Sequence, residues 1–238
     1  MKTLTSLVVS SLLGCFGQLS AQTGLTFNLG GAGETVSNQM VFANNGVTAT
    51  ATAWSVNRSS QGLGFAQSQL VQWSPGIGVK NSTEVITDTP YVPFYVDNQD
   101  HYDFVLFVFS EKVDITRVKI HPSSGSFDLD ASFWLGNVDE NLDLTGEVFA
   151  DLGGYGFGSK INNDGVVSNS PRDLGITTPG DGVNAILIGA RIGGDADFDR
   201  FKLSSITAST VIPEPSSFAM LAGSLALVVG RRRRNARA

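Results

Sequence analysis

Cysteine is almost missing from this chain of 238 residues: Cys15 is the only one. A disulfide within the chain, a thiolate metal site in the body and a cysteine nucleophile in the body are all excluded. Histidine is nearly as scarce, with His101 and His121 alone. Neither sits at a metal-ligand spacing, so both are expected in surface or structural roles. Basic residues are few and unevenly placed. Setting aside Lys2 and the five arginines of the last eight residues leaves ten basic residues, against 21 acidic ones once Glu214 is also set aside, a body near −11. Binding DNA or RNA needs clustered Lys and Arg, so a nucleic-acid partner is excluded for the body. Also absent are a G-x-S-x-G nucleophile elbow and a phosphate loop. In "GGYGFGSK" (Gly153–Lys160) the serine precedes the lysine, and a glycine-rich β loop is the better account.

What is present is glycine, 27 residues of it, with abundant Thr, Ser and Asn and only 16% charge. Such a composition leans toward an all-β extracellular domain. Period-two alternation recurs between clusters of Gly, Asn, Asp and Pro. "VTATATAW" sets Val47, Ala49, Ala51 and Ala53 against Thr48, Thr50, Thr52 and Trp54. "SFDLDASFWL" places Phe127, Leu129, Ala131 and Phe133 on one face, with Asp128 and Asp130 on the other. Phe104 to Phe109 is apolar on both faces, which predicts a central strand covered on both sides. Turns are expected at Asn44–Gly46, Asn162–Gly165 and Pro179–Gly182. The expected fold is all-β, an antiparallel β-sandwich of jelly-roll kind with about eight to twelve strands over residues 22–206. Residues 207–212 are expected to be a linker.

The two ends have other tasks. Residues 1–21 read as a secretory signal peptide: one lysine, an apolar run centred on Leu7–Leu13, then small residues up to Ala21. "LLGC" at Leu12–Cys15 offers an alternative, a bacterial lipobox that would lipidate Cys15. Ordinary secretion is favoured, because Leu13 is untypical there and a second anchor stands at the other end. That anchor is Phe218–Gly230, apolar or small throughout. As a helix it spans about 20 Å against about 30 Å of bilayer core. Residues 216 and 217 extend it, and Arg231, Arg232, Arg233 and Arg234 form a basic stop that puts the body outside.

Pro213-Glu214-Pro215, then the short helix of 216–230, then the basic tail of 231–238, resembles the PEP-CTERM sorting signal of Gram-negative bacteria. The resemblance, which includes Val211 and Ile212 ahead of the motif, covers about residues 211–235. It implies export through the secretion translocon, removal of the leader by signal peptidase, and an inner-membrane intermediate held by the C-terminal helix. It further implies that Pro213, Glu214 and Pro215 are read by an exosortase, as substrate and not as catalyst. The body resembles a recurrent ectodomain of PEP-CTERM proteins: Gly76–Val79, Val96–Asn98, Asp128–Gly136 and Asp197–Phe201 carry the likeness. That resemblance implies a sandwich akin to carbohydrate-binding domains and brings no catalytic residues.

Two candidate sites remain. Asp195, Asp197 and Asp199 stand at every second position, and oxygen donors also collect at Asp97 and at Asp128 and Asp130. A structural Ca²⁺ held by Asp97, Asp128, Asp130 and Asp197 is the metal expectation, against a solvated acidic sheet edge. Trp134 alternates opposite Phe133 and is the candidate sugar platform, against the commoner fate of burial. No catalytic residues and no required cofactor are expected. The functional expectation is a non-enzymatic surface or extracellular-matrix protein that binds carbohydrate or contributes to a biofilm or envelope matrix. The alternatives are a secreted polysaccharide hydrolase and an uncleaved, C-terminally anchored structural membrane protein.

Overall fold

Alternation along β4 (Val47–Asn57) shows how the sequence writes the fold. Val47, Ala49, Ala51 and Ala53 are buried while Thr48, Thr50 and Thr52 stay half-exposed. The computed structural model describes residues 22–84, 94–122, 125–193 and 198–211. The leader, the sorting motif Pro213–Pro215, the apolar run, the arginine cluster and Asp197 all lie outside them. Among the described residues no helix is long and apolar enough to cross a membrane.

The fold is all-β, with thirteen strands among the described residues instead of eight to twelve; the surplus comes from short pieces. Besides β4 these are β1 (Gly24–Asn28), β2 (Thr35–Ser37), β3 (Gln39–Asn44), β5 (Ala66–Trp73), β6 (Gly76–Lys80) and β7 (Val96–Asp97). Then follow β8 (His101–His121), β9 (Ala131–Gly136), β10 (Ile161–Asn163), β11 (Arg172–Gly175), β12 (Val183–Ala190) and β13 (Arg200–Thr210). Every pairing between these strands is antiparallel. Strand β13 continues through Thr210, so the compact unit runs from Thr23 to Val211 and residues 207–210 of the expected linker are strand.

The organising element is β8. Its first limb, residues 101–109, lies between β4 and β12. At Ser110–Lys112, three exposed residues, it changes partners, and residues 113–121 pair with β13 and β11. The circuit β4–β8–β13–β6–β5 closes back on β4. Inside it lies the main core, where Val105, Phe107 and Phe109 of the first limb share one cluster with Val113, Ile115, Val118 and Ile120 of the second. The other face of the β4–β8–β12–β9 sheet carries Trp54, Phe104, Leu106, Trp134 and Leu187. Val138, Leu144, Leu152 and Phe157, from the segment that includes a 3₁₀ turn at Phe149–Tyr155, cover it. An apolar strand without alternation needs cover on both sides, and Phe104–Phe109 has it.

The expected turn at Asn44–Gly46 links β3 to β4, with φ of 47° at Asn45 and 86° at Gly46. Both values lie in the left-handed region that Asn and Gly tolerate.

One residue of β13 opposes the fold. Lys202 lies between Phe201 and Leu203 and is 2% exposed. Burial pushes its ammonium down to about 8, while Glu34 pulls the other way. A folded pKa below the unfolded value means the native state holds fewer protons between about pH 8 and 10.5. Stability therefore rises with pH across that window, and the cost is complete below it. Lys202→Met is expected to stabilise the body at pH 7 by about 1–3 kcal/mol, with the gain shrinking toward pH 10. Urea melts at the two pH values check it; an equal gain at both would refute the burial account.

Candidate functional site

The acidic residues gather where β7, β9, β12 and β13 begin or end. Asp130 directly precedes β9 and Asp199 directly precedes β13; Asp128 and Asp199 meet in a parallel bridge. The Asp128, Asp130 and Asp199 carboxylates lie within 4.8 Å of one another and all three residues are buried. Asn98, just after β7, donates from Nδ2 to Asp199 Oδ2 at 2.5 Å and accepts the Asp199 N–H at 3.0 Å. Asp199 Oδ1 accepts the Asp130 N–H at 3.2 Å, and Asp128 Oδ1 accepts the Leu129 N–H at 2.8 Å. The Gly165 N–H donates to Asp130 Oδ1. From the end of β12, Arg191 Nη1 reaches Asp130 Oδ2 and Asp164 Oδ1, both at 2.8 Å.

Of the four residues expected around a Ca²⁺, Asp128 and Asp130 meet, with Asp199 beside them; Asp97 is not in this group, and Asp197 lies outside the described residues. Backbone and amide N–H groups take Oδ1 of Asp128 and both oxygens of Asp130 and Asp199 are engaged, one by a guanidinium that supplies the positive charge. These residues form a buried ion-paired knot that ties β7, β9, β12 and β13 together, which also differs from a solvated edge.

Asp97 closes β7, one residue before Asn98. Its Oδ1 accepts the Gln99 N–H at 3.1 Å, and its Oδ2 is 3.8 Å from Arg200 Nε, the residue paired with it across β7 and β13. Burial holds its carboxyl above the usual range, against the Gln99 N–H and the Arg200 charge. The Arg200 guanidinium also lies over the Tyr95 and Phe127 rings, at 5.3 and 5.2 Å. A cleft of about 330 Å³ opens here, lined by Asn81, Glu84, Tyr95, Asp97, Gln99 and Arg200 among others.

No family model, curated protein or solved structure matches the chain. The site must speak through its own chemistry.

Trp134 does point away from Phe133, but that side is covered. The indole is 4% exposed and stacked on Phe149, centroids 5.7 Å apart and planes 4° off parallel. Alternation correctly separates the two faces; it carries no information about the Val138–Phe157 segment that lies over one of them. Trp134 packs as a core residue and lines a cavity of about 460 Å³ with Phe149 and Ile192. His101 is likewise not a surface residue: it opens β8 and is 7% exposed. Sequence reasoning missed Asp103 altogether. It is fully buried within the apolar β8 run, and a lone acid on the face of Val105 and Phe107 is the signal that would have found it.

Proposed function

We propose that this chain is an exported, non-enzymatic surface protein that an exosortase processes through Pro213, Glu214 and Pro215. On this reading residues 216–230 hold an inner-membrane intermediate, and the body, a sandwich of jelly-roll kind, is then delivered to the cell surface or extracellular matrix of a Gram-negative bacterium. There it binds polysaccharide or another matrix component.

The observation that carries this reading is the pairing of β1 with β13. Thr23 and Thr210 exchange hydrogen bonds of 3.0 Å, so the body's two ends leave side by side. The acidic knot and the cleft lie at the other end of β13, eleven residues or about 35 Å away. A tail attached at Val211 thus leaves the polar end farthest from the point of attachment, as suits a displayed binding module.

Mass spectrometry of the mature surface protein tests the sorting step. Loss of residues 231–238 is expected, and their presence in most of the surface protein would overturn it. A glycan array tests the body: binding without turnover is expected, whereas release of reducing sugar would favour a hydrolase.

A further inference from the structure

We infer that the outer face of β3, β4 and β5, with the turn at residues 140–143, forms a groove for a neutral polysaccharide, a site that rests on the reading of the body as a polysaccharide-binding module. Alternation gives β4 one apolar side and one side of threonines, and only part of the second side is covered. Val138, Leu144 and Leu152 lie over Leu106, Trp134 and Leu187, toward β8, β9 and β12. Beside that cover the face continues as the half-exposed Thr50 and Thr52.

Residues paired across neighbouring strands share a face, so the register fixes the floor of the groove. Gln39 pairs with Thr52 and Thr52 with Leu106; Gln67 pairs with Trp54, and Thr50 with Val108. The Trp54 indole N–H donates to Thr52 Oγ1 at 3.0 Å, which fixes the ring against the threonine row. Two local bonds shape the wall. The Leu142 N–H donates to the Asp139 carbonyl at 3.2 Å, and Asp143 Oδ1 accepts the Thr145 N–H at 2.9 Å. Between floor and wall lies a cavity of about 450 Å³, bounded on the wall side by Glu140, Asn141 and Asp143. That volume falls within the roughly 300–1,000 Å³ of ligand clefts. From Thr50 to Trp54 the floor runs about 13 Å, enough for a short stretch of a sugar chain.

The groove offers hydrogen bonding that the chain itself does not use. The side chains of Gln39, Gln67, Glu140 and Asn141 are exposed and have no hydrogen-bond or ion-pair partner among the described residues. A carboxamide both donates and accepts, and a carboxylate accepts on two oxygens. Sugar hydroxyls also donate and accept, so neighbouring hydroxyls can be met by these groups in pairs. Hydrogen bonds from Thr145 hold the Asp143 carboxyl below the usual range, which keeps it an acceptor. Charge selects the class of glycan. The lining carries two carboxylates, Glu140 and Asp143, and no lysine or arginine. A uronate or sulfate group would meet like charge there and no cationic partner. The cavity beside Trp134 is the contrasting case: its one charged side chain is Lys160, and it holds no carboxamide.

The test is equilibrium binding of the full-length chain, kept in mild detergent, to immobilised xylan, mixed-linkage β-glucan, galactomannan and alginate. Binding to at least one of the neutral glycans is expected, and none to alginate. Gln67→Ala and Asn141→Ala should each weaken it by about tenfold, as loss of a pair of hydrogen bonds does. Both side chains are exposed, so neither variant should shift the thermal melt. Lys160→Ala, in the cavity beside Trp134, should leave binding unchanged. Neutral-glycan binding that is indifferent to Gln67 and Asn141, or lost through Lys160, overturns the groove and leaves the polysaccharide reading standing. Binding to alginate alone does the same. Binding to none of these glycans overturns both.

Discussion

Arg191→Met is expected to cost the body about 3–5 kcal/mol, as breaking a buried ion pair from one side does. The guanidinium is 2.8 Å from Asp130, whose side chain is 4% exposed, and brings positive charge to a knot that holds three carboxylates within 4.8 Å. Methionine takes that guanidinium away from the buried Asp130 carboxylate. The pair with Asp164 adds little, since that aspartate's side chain is 60% exposed. The double variant Arg191→Met/Asp130→Asn should recover a good part of the loss, because it removes the stranded charge as well. Denaturant melts of the four proteins close the cycle. A single-variant loss below about 1 kcal/mol would mean that the knot is not electrostatically held.

Gly78→Ala should be comparably damaging, at about 3 kcal/mol, near the upper end for overpacking. A Cβ at Gly78 would run into the Phe94 carbonyl, with Tyr95 Cα at 3.1 Å; one at Gly76 would meet the Leu203 carbonyl. These obstacles are backbone, which has no rotamer to escape into. Neither glycine is needed for an unusual φ; both are needed for space. Through them β6 lies close to residues 94–95 and to β13, and so closes the β4–β8–β13–β6–β5 circuit. Gly175→Ala is the control: it stands on β11 with nothing within 4 Å of its Cβ position, and its urea midpoint should barely move. Equal midpoints for the two variants would remove close approach as the reason for the glycines.

The residues legible in the sequence were those whose neighbours are local. Alternation in β4, the doubly buried run in β8 and the left-handed Asn45–Gly46 turn follow from two or three adjacent side chains. The candidate site depends on residues far apart in the chain. Asp130 meets Arg191 across 61 positions and Asn98 meets Asp199 across 101. Spacing in "DADFDR" pointed to Asp197, and the bridge that brings Asp199 to Asp128 was not readable from it. Trp134 shows the same limit: its face was readable, and the segment laid over that face was not. Asp103 differs, because its signal was local and was hidden by the apolar residues around it.

The position of β13 has a mechanical consequence. This strand pairs with β1, β6, β7 and β8, and the chain leaves it at Thr210. For a body held by its C-terminus, drag on the far end pulls along β13. Its ladders with β1, Gly24 to Asn28, and with β8, Val113 to His121, are then loaded in shear, their bonds sharing the force. Peeling, which would break the same bonds one at a time, requires a pull across the strand. A tether at that end would leave from the strand whose neighbours are best placed to resist being drawn out.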